Sequence, residues 1–450
     1  MQPLLNPLKP KIIMKSNNLT KKPMNYLFAS WEGGGNITPM LEVVRKLAAR
    51  GHRVRVMSDE CNRPESEAAG ATFIAWNRAP NRKDRTPESQ TLQDWAAATP
   101  QEGLLHVIRD HWSSPALQYA QDLIDELRRE PADLVVTSEM LFGVMAACES
   151  LEQPFVIFAA NISLAPLPGI PPLGPGLAPA RNDQERAQHA EIAKGCVAMF
   201  DSGLPALNAA RAAVGLDPLE HLLDQFRAAD LELLGTSRAF DFPCSDLPDR
   251  VRYVGPQIGD PNWARKWTSP WPQSDKRPLV LVSFSTTFQN HAAVLQKVID
   301  ALAPLPARVL VTLGGSIKPT DLKPADNCVL VDSAPHSQVM REAAFVVNHG
   351  GHGTVMRSLL SRAPMLVIPH GRDQNDNAVR VTERGAGLSL MPDAPLEAIR
   401  TACNRLLTEN SFRVAAKRLG ALVAAETENS PIVHELEVAA CQAECAAVAA

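Results

Sequence analysis

The residues of this chain with the clearest chemical potential lie between positions 345 and 376, in FVVNHGGHGTVMRSLLSRAPMLVIPHGRDQND. Apolar residues 345–347 predict a buried strand, and the glycine-rich run His349–Thr354 predicts a turn into a helix that begins at Thr354. The N–H groups of a helix N-terminus bind phosphate readily. A second strand over 365–369 precedes Asp373 and Gln374, whose side chains can bond sugar hydroxyls. Because ligands bind beyond the carboxyl ends of such strands, this βαβ unit offers groups for a diphosphate and a sugar.

The rest of the chain must position these groups, and its patterning predicts an α/β protein with two doubly wound, Rossmann-like domains facing across a cleft. Strand and helix patterns alternate over residues 24–255 and again over 279–427, and the proline- and tryptophan-rich stretch 256–278 is predicted to link them. Residues 1–23 are predicted to be a disordered extension, with Met24 as a plausible alternative start, and 428–450 a C-terminal helix. Residues 161–181 contain six prolines and are predicted to form a loop that makes one wall of an apolar cleft.

Composition excludes several classes of function. The chain has 450 residues and a formal net charge of −4, without a Lys/Arg block, so we expect no nucleic-acid partner. No apolar run is long enough to span a bilayer, and residues 1–23 lack the apolar core of a secretory signal. The eight cysteines are scattered without a Cys-x-x-Cys pair, which is typical of reduced thiols in a cytoplasmic protein.

Four pieces of sequence, in order, carry a family resemblance. They are Ala334-Pro335-His336-Ser337-Gln338-Val339, His349-Gly350-Gly351-His352-Gly353-Thr354, Ala363-Pro364 and Asp373-Gln374. Together they resemble the donor-binding signature of the family-1, inverting, nucleotide-sugar-dependent glycosyltransferases, the group that includes the UGT and macrolide types. The resemblance implies the GT-B fold, with acceptor binding by residues 24–255 and nucleotide-sugar binding by residues 279–427.

The resemblance also implies roles on the donor side. His349, Gly353 and Thr354 match residues that contact the diphosphate, in a turn that also holds Gly351 and His352, and Ser285 and Thr286 stand where the family has a diphosphate-contacting Ser or Thr. Asp373 and Gln374 match the pair that bonds the donor sugar. The segment from Ala334 to Val339, with Pro335 and His336, matches the segment whose backbone holds uracil or thymine.

Two features bear on the donor. Arg357 occupies a position where the family often has a glutamate that bonds the ribose hydroxyls, which leaves dTDP-sugars open beside UDP-sugars. The chain has no Asp-x-Asp triplet, so we expect a metal-independent enzyme without a cofactor, in which a helix N-terminus replaces the cation.

The chain departs from the family at the catalytic base. The family has a histidine in the first glycine-rich turn, and here Gly33-Gly34-Gly35 is followed by Asn36. An amide accepts no proton at neutral pH. Three interpretations stay open: another base acts, the acceptor is acidic enough to need only positioning by Asn36, or the protein is inactive. The candidates for another base are Asp110, His111, Glu139 and Glu32.

The expected function is therefore transfer of a sugar from a UDP- or dTDP-sugar to a hydroxyl of a hydrophobic small molecule, phenolic, flavonoid or polyketide-like. Direct displacement would invert the anomeric centre. The alternatives are a nucleotide-sugar epimerase on the same fold and a catalytically impaired nucleotide-sugar-binding accessory protein. The expected partners are the nucleotide sugar and the acceptor, without stable membrane insertion, in a monomer or homodimer.

Overall fold

The architecture consists of two parallel sheets, each covered by helices. A computed structural model describes residues 22–86, 88–90, 96–244, 246–259, 267–284, 291–314 and 317–449. Central strands of both sheets are buried along their whole length, as in the strands Leu134–Ser138 and Leu279–Ser283. Burial on both faces explains why these strands read as continuous apolar runs and not as alternating patterns.

The first sheet has seven parallel strands, in the order β3-β2-β1-β4-β5-β6-β7. They are β1 (Asn25–Ala29), β2 (Arg53–Ser58), β3 (Thr72–Ala75), β4 (Leu134–Ser138), β5 (Phe155–Ala159), β6 (Leu231–Leu234) and β7 (Val251–Tyr253). The helices between them are α1 (Ile37–Ala49), α2 (Arg63–Ala68), α3 (Pro100–His106), α4 (Ala116–Arg129), α5 (Phe142–Ser150), α6 (Asp183–Phe200) and α7 (Leu204–Ala213). A π-helical turn over Val107–Ser113 joins α3 to α4.

The second sheet has six parallel strands, in the order β10-β9-β8-β11-β12-β13. They are β8 (Leu279–Ser283), β9 (Arg308–Thr312), β10 (Cys328–Val331), β11 (Ala343–Asn348), β12 (Met365–Val367) and β13 (Gly387–Ser389). The helices of this half are α8 (Ala292–Leu302), α9 (His336–Glu342), α10 (His352–Leu360), α11 (Gln374–Glu383), α12 (Leu396–Thr408) and α13 (Asn410–Glu428).

The strand order creates one crevice in each sheet. The order reverses between β1 and β4 in the first sheet and between β8 and β11 in the second. Loops leave opposite faces of a sheet at such a switch point, and ligands bind in the space between them. The glycine-rich turn that ends at Asn36 follows β1, and His349 follows β11. Both predicted halves of the site therefore lie at switch points.

The last helix, α14 (Ile432–Ala449), returns to the first sheet, which the sequence did not predict. Ile432 and Leu436 are buried among the side chains of β1 and α1. Glu437 accepts from Arg50 over 2.6 Å and lies 3.0 Å from the imidazole of His52. The end of the chain thus packs against its beginning and ties the two halves together.

A buried ion pair braces the junction of the two halves. Arg380 on α11 donates to Asp241, which follows β6, over 2.8 Å, and both side chains are almost completely buried. The hydroxyl of Tyr253 donates to the other oxygen of Asp241, also over 2.8 Å. A buried charge pair that loses one partner leaves an uncompensated charge in the interior, which is strongly destabilising. This pair therefore holds α11 in a defined position relative to the first sheet.

Several element boundaries differ from those that the patterns predict. Helix α10 begins at His352, two residues before the predicted start at Thr354. The patterns over about 91–99, 101–129 and 219–229 each predict a helix. In the structure the second is interrupted by the π-helical turn, and the third is a 3₁₀ helix from Leu222 to Ala228. Residues 1–21, 91–95 and 260–266 lie outside the described residues, so the extension, part of the helix predicted near 91–99 and part of the linker stay predictions. Within the described part of the chain, no helix is long and apolar enough to cross a membrane.

Candidate functional site

A cavity of about 1060 Å³ lies between the two halves, at the carboxyl ends of both sheets. It brings together most of the predicted site residues. Those that line it are Asn36, Glu139, Ala334, Pro335, His336, His349, Gly351, His352, Gly353, Thr354, Arg357, Asp373 and Gln374. Ser285 and Thr286 lie outside the described residues, and their predicted role stays a prediction.

The turn between β11 and α10 is shaped by its glycines. Gly350 has a φ of +92°, and its N–H donates to the side-chain oxygen of Asn348 over 2.8 Å. A Cβ on Gly351 would lie 2.5 Å from Nε2 of His349, so only glycine fits beside this imidazole. Gly351 is also the N-cap of α10, which explains why the helix begins earlier than predicted. The first turn of α10, which contains Gly353 and Thr354, therefore faces the cavity beside His349.

His349 is a neutral imidazole in this setting. Its ring is nearly buried and stacks on Phe284, with 6.4 Å between ring centroids. Burial, followed by the charges of His370, His291 and Arg372, lowers the pKa of His349 to about 3. At neutral pH this residue can exchange hydrogen bonds with a ligand, but it carries no charge of its own.

Sequence reasoning missed two other histidines on the same side of the cavity. His291 stacks on Phe284 with 5.8 Å between centroids, and His370 meets the ring edge-on at 5.5 Å. Burial lowers the pKa of both, to about 4 for His291. His370 follows the predicted strand 365–369 directly, which was a usable signal, whereas nothing in the sequence pattern around His291 indicated its place.

His352 makes a contact to the first half that the signature did not imply. Its Nε2 lies 2.8 Å from the hydroxyl of Thr236, which follows β6 in the first half, and its ring contacts Phe240 edge-on. Burial lowers the pKa of His352 to about 3. The side chain lines the cavity and this polar contact joins the two halves, while its predicted role in donor binding stays a prediction.

The segment from Ala334 to Val339 lies along the second half of the cavity. Nε2 of His336 is 3.2 Å from the hydroxyl of Ser283 and 3.4 Å from that of Thr312, which anchors the ring to the ends of β8 and β9. Val339 is fully buried in the core of the second half and does not line the cavity. Its side chain packs α9 against this core, and the donor-binding role predicted for the backbone of the segment stays a prediction.

Asp373 makes a contact across the cleft that the sequence did not predict. One of its oxygens accepts from the amide of Asn161, in the loop after β5, over 2.5 Å and from the amide of Asn377 over 2.6 Å. Asn161 is held in this orientation because its own oxygen accepts from the N–H of Ile162. Aspartate is a common N-cap residue, but the side chain of Asp373, at the N-cap of α11, makes no cap bond to that helix. Burial raises the pKa of Asp373.

The proline-rich loop after β5 packs against the start of α11. The N–H of Gly174 donates to Asp376 over 2.7 Å, and the amide of Asn375 donates to the carbonyl of Gly174 over 3.2 Å. Gln374 is buried and accepts from the N–H of His370 over 2.7 Å. The loop that carries Asp373 and Gln374 is thus fixed from within its own half and from the other half.

Asn36 and Glu139 face the cavity from the first half. The amide nitrogen of Asn36 is 3.5 Å from the sulfur of Met140, a weak contact, and its side chain makes no cap bond to α1. Glu139 is 2% exposed and accepts from the hydroxyl of Ser138 over 3.2 Å. Burial, with smaller contributions from the charges of Glu232 and Asp373, raises the pKa of Glu139 to about 7. A carboxyl group with this pKa can accept a proton near neutral pH.

The other predicted bases are not in this position. Asp110 and His111 lie in the π-helical turn, whose residues Val107 and Trp112 line the cavity instead, and Asp110 is exposed. Glu32 accepts from the N–H of Gly34 and pairs with Arg85 at 3.2 Å, and it does not line the cavity. The structure therefore removes the geometric basis for Asp110, His111 and Glu32 as bases and leaves Glu139.

The remaining lining of the first half is apolar and aromatic. It includes Trp31, Leu104, Val107, Trp112, Met199 and Phe200. Trp112 and Phe200 stack with 6.4 Å between centroids and an interplanar angle of 17°. Such a lining fits a flat, hydrophobic molecule. Across the described parts of the chain, no group of three or more His, Cys, Asp or Glu side chains is placed to hold a metal ion.

Comparisons with known proteins agree with this architecture. Residues 296–439 match the family model of the erythromycin biosynthesis protein CIII-like C-terminal domain. A relative, 4'-demethylrebeccamycin synthase of Lentzea aerocolonigenes, is 30% identical over 87% of this chain and 94% of its own length.

Two solved structures show the same fold. The calicheamicin glycosyltransferase CalG4 is 21% identical, with a TM-score of 0.72 over 93% of this chain and 98% of that chain. The glycosyltransferase VinC, solved in complex with dTDP, is 22% identical, with a TM-score of 0.61 over 93% of this chain and 100% of that chain.

The contact between Asn161 and Asp373 predicts a charge-dependent change in stability. Asn161→Asp would place two partly buried carboxylates side by side, and we expect a loss of about 1–3 kcal/mol in the free energy of unfolding. The double variant with Asp373→Asn restores one carboxylate and one amide and should recover most of the loss. Thermal and urea unfolding at pH 7 would measure this, with Asn161→Ala as the control that removes the bond without repulsion. Equal losses for the single and the double variant would contradict the contact.

Proposed function

Because this chain belongs to the family-1 glycosyltransferases, which have the GT-B fold, we propose that it moves a sugar from a UDP- or dTDP-sugar to a hydroxyl of a hydrophobic small molecule, with inversion. The observation that carries this proposal is the shared cavity. One wall presents His349, Thr354 and Asp373 for a sugar diphosphate, and the opposite wall presents the buried carboxyl group of Glu139. Donor and acceptor groups in one cleft are what direct transfer requires.

The donor side supports a nucleoside diphosphate. The first turn of α10 offers N–H groups and the positive end of the helix dipole to the diphosphate, and His349 adds an uncharged hydrogen-bonding group. Asp373 and Gln374 would hold the sugar hydroxyls. Arg357 donates to the carbonyl oxygens of Gly353 and Gly259 and lines the cavity. Unlike a glutamate, a guanidinium accepts no hydrogen bond from ribose hydroxyls, so this proposal keeps dTDP-sugars open beside UDP-sugars.

The proposed reaction is a single displacement. The acceptor oxygen attacks the anomeric carbon while its proton passes to Glu139, and the bond from that carbon to the diphosphate breaks with its electron pair on the departing oxygen. A base with a pKa near 7 combines a sizeable deprotonated fraction with a useful driving force for proton transfer. Asn36 cannot take the proton, and its amide would orient the acceptor hydroxyl instead.

The first half of the cavity supports a hydrophobic acceptor. The stacked pair Trp112 and Phe200, together with Trp31 and Leu104, forms an apolar wall next to Glu139. A volume of about 1060 Å³ is at the upper end for small-molecule sites and suits two ligands side by side. Phenolic, flavonoid and polyketide-like acceptors all fit this chemistry. Among the residues that the structure describes, no contact favours the epimerase or accessory-protein alternatives.

Product analysis tests the proposed function directly. A panel of phenols crossed with UDP-glucose, UDP-galactose and dTDP-rhamnose should yield at least one glycoside by mass spectrometry. His349→Ala removes a group at the diphosphate, so we expect at least a tenfold loss in both nucleoside diphosphate affinity and transfer rate. His434→Ala, on the exposed face of α14, is the matched control and should behave as wild type. Full activity of the His349 variant, or conversion of the free nucleotide sugar without an acceptor, would refute the assignment.

Glu139 predicts a pH dependence. Because the base must be deprotonated, kcat/KM for a weakly acidic alcohol should rise with pH through about 7 and then level off. Glu139→Gln should lower kcat by about 10²–10⁴-fold and abolish that rise. Ser138→Ala removes a hydrogen bond that stabilises the carboxylate, so it should shift the rise to higher pH without abolishing activity. An unchanged profile in the Gln variant would rule out Glu139 as the base.

A further inference from the structure

Arg372 lies in the loop between β12 and α11, next to Asp373, and the donor signature assigns it no role. Its side chain lines the same cavity as His349, Gly353 and Thr354. The backbone of this loop is fixed on both sides of the arginine. The imidazole of His370 lies 2.9 Å from the carbonyl of Ile368, and the N–H of His370 donates to Gln374. The arginine therefore has a defined place at the donor side of the cleft.

The backbone of Arg372 is in the left-handed region, with a φ of +56°. This conformation is unfavourable for any residue with a Cβ, and it persists only where the surrounding structure holds it. Asp373 supplies that hold through Asn161 and Asn377. A strained conformation at a residue that lines a ligand cavity is a pointer to function.

The donor side otherwise lacks positive charge from its histidines. Burial lowers the pKa of His291 to about 4 and that of His349 to about 3, and it also lowers the pKa of His370, so all three rings are neutral at pH 7. Arg380 is engaged by Asp241 in the interior, and Arg357, which also lines the cavity, donates to the carbonyl oxygens of Gly353 and Gly259. A diphosphate entering this space carries at least two negative charges and gains more on the departing oxygen as the sugar leaves.

The charge of Arg372 affects the pKa of both His349 and Asp373. Burial is the main cause of the lowered pKa of His349, and the charge of Arg372 adds to it. Burial raises the pKa of Asp373, and the same arginine opposes that rise. The guanidinium therefore lies close enough to influence the residue predicted for the diphosphate and the residue predicted for the sugar.

We propose that Arg372 binds the diphosphate of the nucleotide sugar and stabilises the negative charge on the departing oxygen. This inference rests on the proposed function. The guanidinium offers parallel N–H donors that match two phosphate oxygens, and it keeps its charge at every physiological pH. Together with the start of α10, the guanidinium supplies positive charge that stabilises the negative charge developing on the diphosphate.

A pair of glycine substitutions separates charge from backbone strain. Arg372→Gly removes the guanidinium and relieves the left-handed backbone. Arg362→Gly, at the exposed end of α10, relieves a similar φ of +61° at a residue that does not line the cavity. Both variants should unfold at a temperature equal to or above that of wild type, because glycine adopts this conformation without penalty.

Only the cavity residue should affect diphosphate binding. Isothermal titration calorimetry with UDP and dTDP should show at least tenfold weaker binding to the Arg372→Gly variant, with no change for Arg362→Gly. Weak binding of uridine and thymidine, which lack the diphosphate, should be the same in all three proteins. Arg372→Lys, which keeps a charge but not the paired donors, should fall between wild type and the glycine variant. If the Gly variant is poorly folded, Arg372→Asn tests the same point, because asparagine tolerates the left-handed region.

The outcomes separate this inference from the proposed function. If wild type binds dTDP or UDP and the Arg372→Gly variant binds it equally tightly, the role of Arg372 is refuted and the proposed function survives. If the glycine variant loses affinity for nucleosides as strongly as for diphosphates, Arg372 shapes the loop and does not bind the phosphates. If wild type binds no nucleoside diphosphate, both proposals fail together.

Discussion

The site depends on the closure of the two sheets against each other, because no half of the chain holds all of its groups. Asn161 from the first half donates to Asp373 of the second, His352 reaches Thr236, and a buried ion pair joins Arg380 to Asp241. These contacts place the carboxyl group of Glu139 and the turn at His349 on one cavity. A change in how the two halves meet would alter the distance between Glu139 and His349, even if each half kept its own fold.

Desolvation then determines the charge of each group in the cleft. Burial makes the imidazoles around Phe284 neutral and raises the pKa of Glu139 to about 7. The same burial strengthens any interaction between a fixed charge and a phosphate, because little solvent screens it. The cleft therefore combines a carboxyl group with a pKa of about 7 on one wall with an arginine and a helix N-terminus on the other. That division of charge suits a reaction in which a proton and a negatively charged group leave in opposite directions.

The sequence predicted what depends on local pattern, and it missed what depends on tertiary contact. The alternation of buried strands and helices predicted both parallel sheets, and the glycine turn located His349 and Thr354. Asn161 comes to the cavity from the loop after β5, and His291 packs on Phe284 from the start of α8, and no local pattern indicates either place. The sequence also left four candidate bases, and only burial and the π-helical turn distinguished Glu139 from Asp110 and His111. The packing of α14 on the first sheet was likewise not predicted, because its alanine-rich pattern does not indicate which surface it covers.

The central claim is that acceptor and donor react directly across this cleft, without a sugar bound covalently to the protein. The configuration of the first product tests it most directly. Proton NMR of the glycoside formed from an α-linked nucleotide sugar, recorded before any equilibration, reports the coupling at the anomeric carbon. The account predicts the β-glycoside as the initial product, through a single inversion. An initial product with the α configuration of the donor would contradict direct displacement by an acceptor that Glu139 activates.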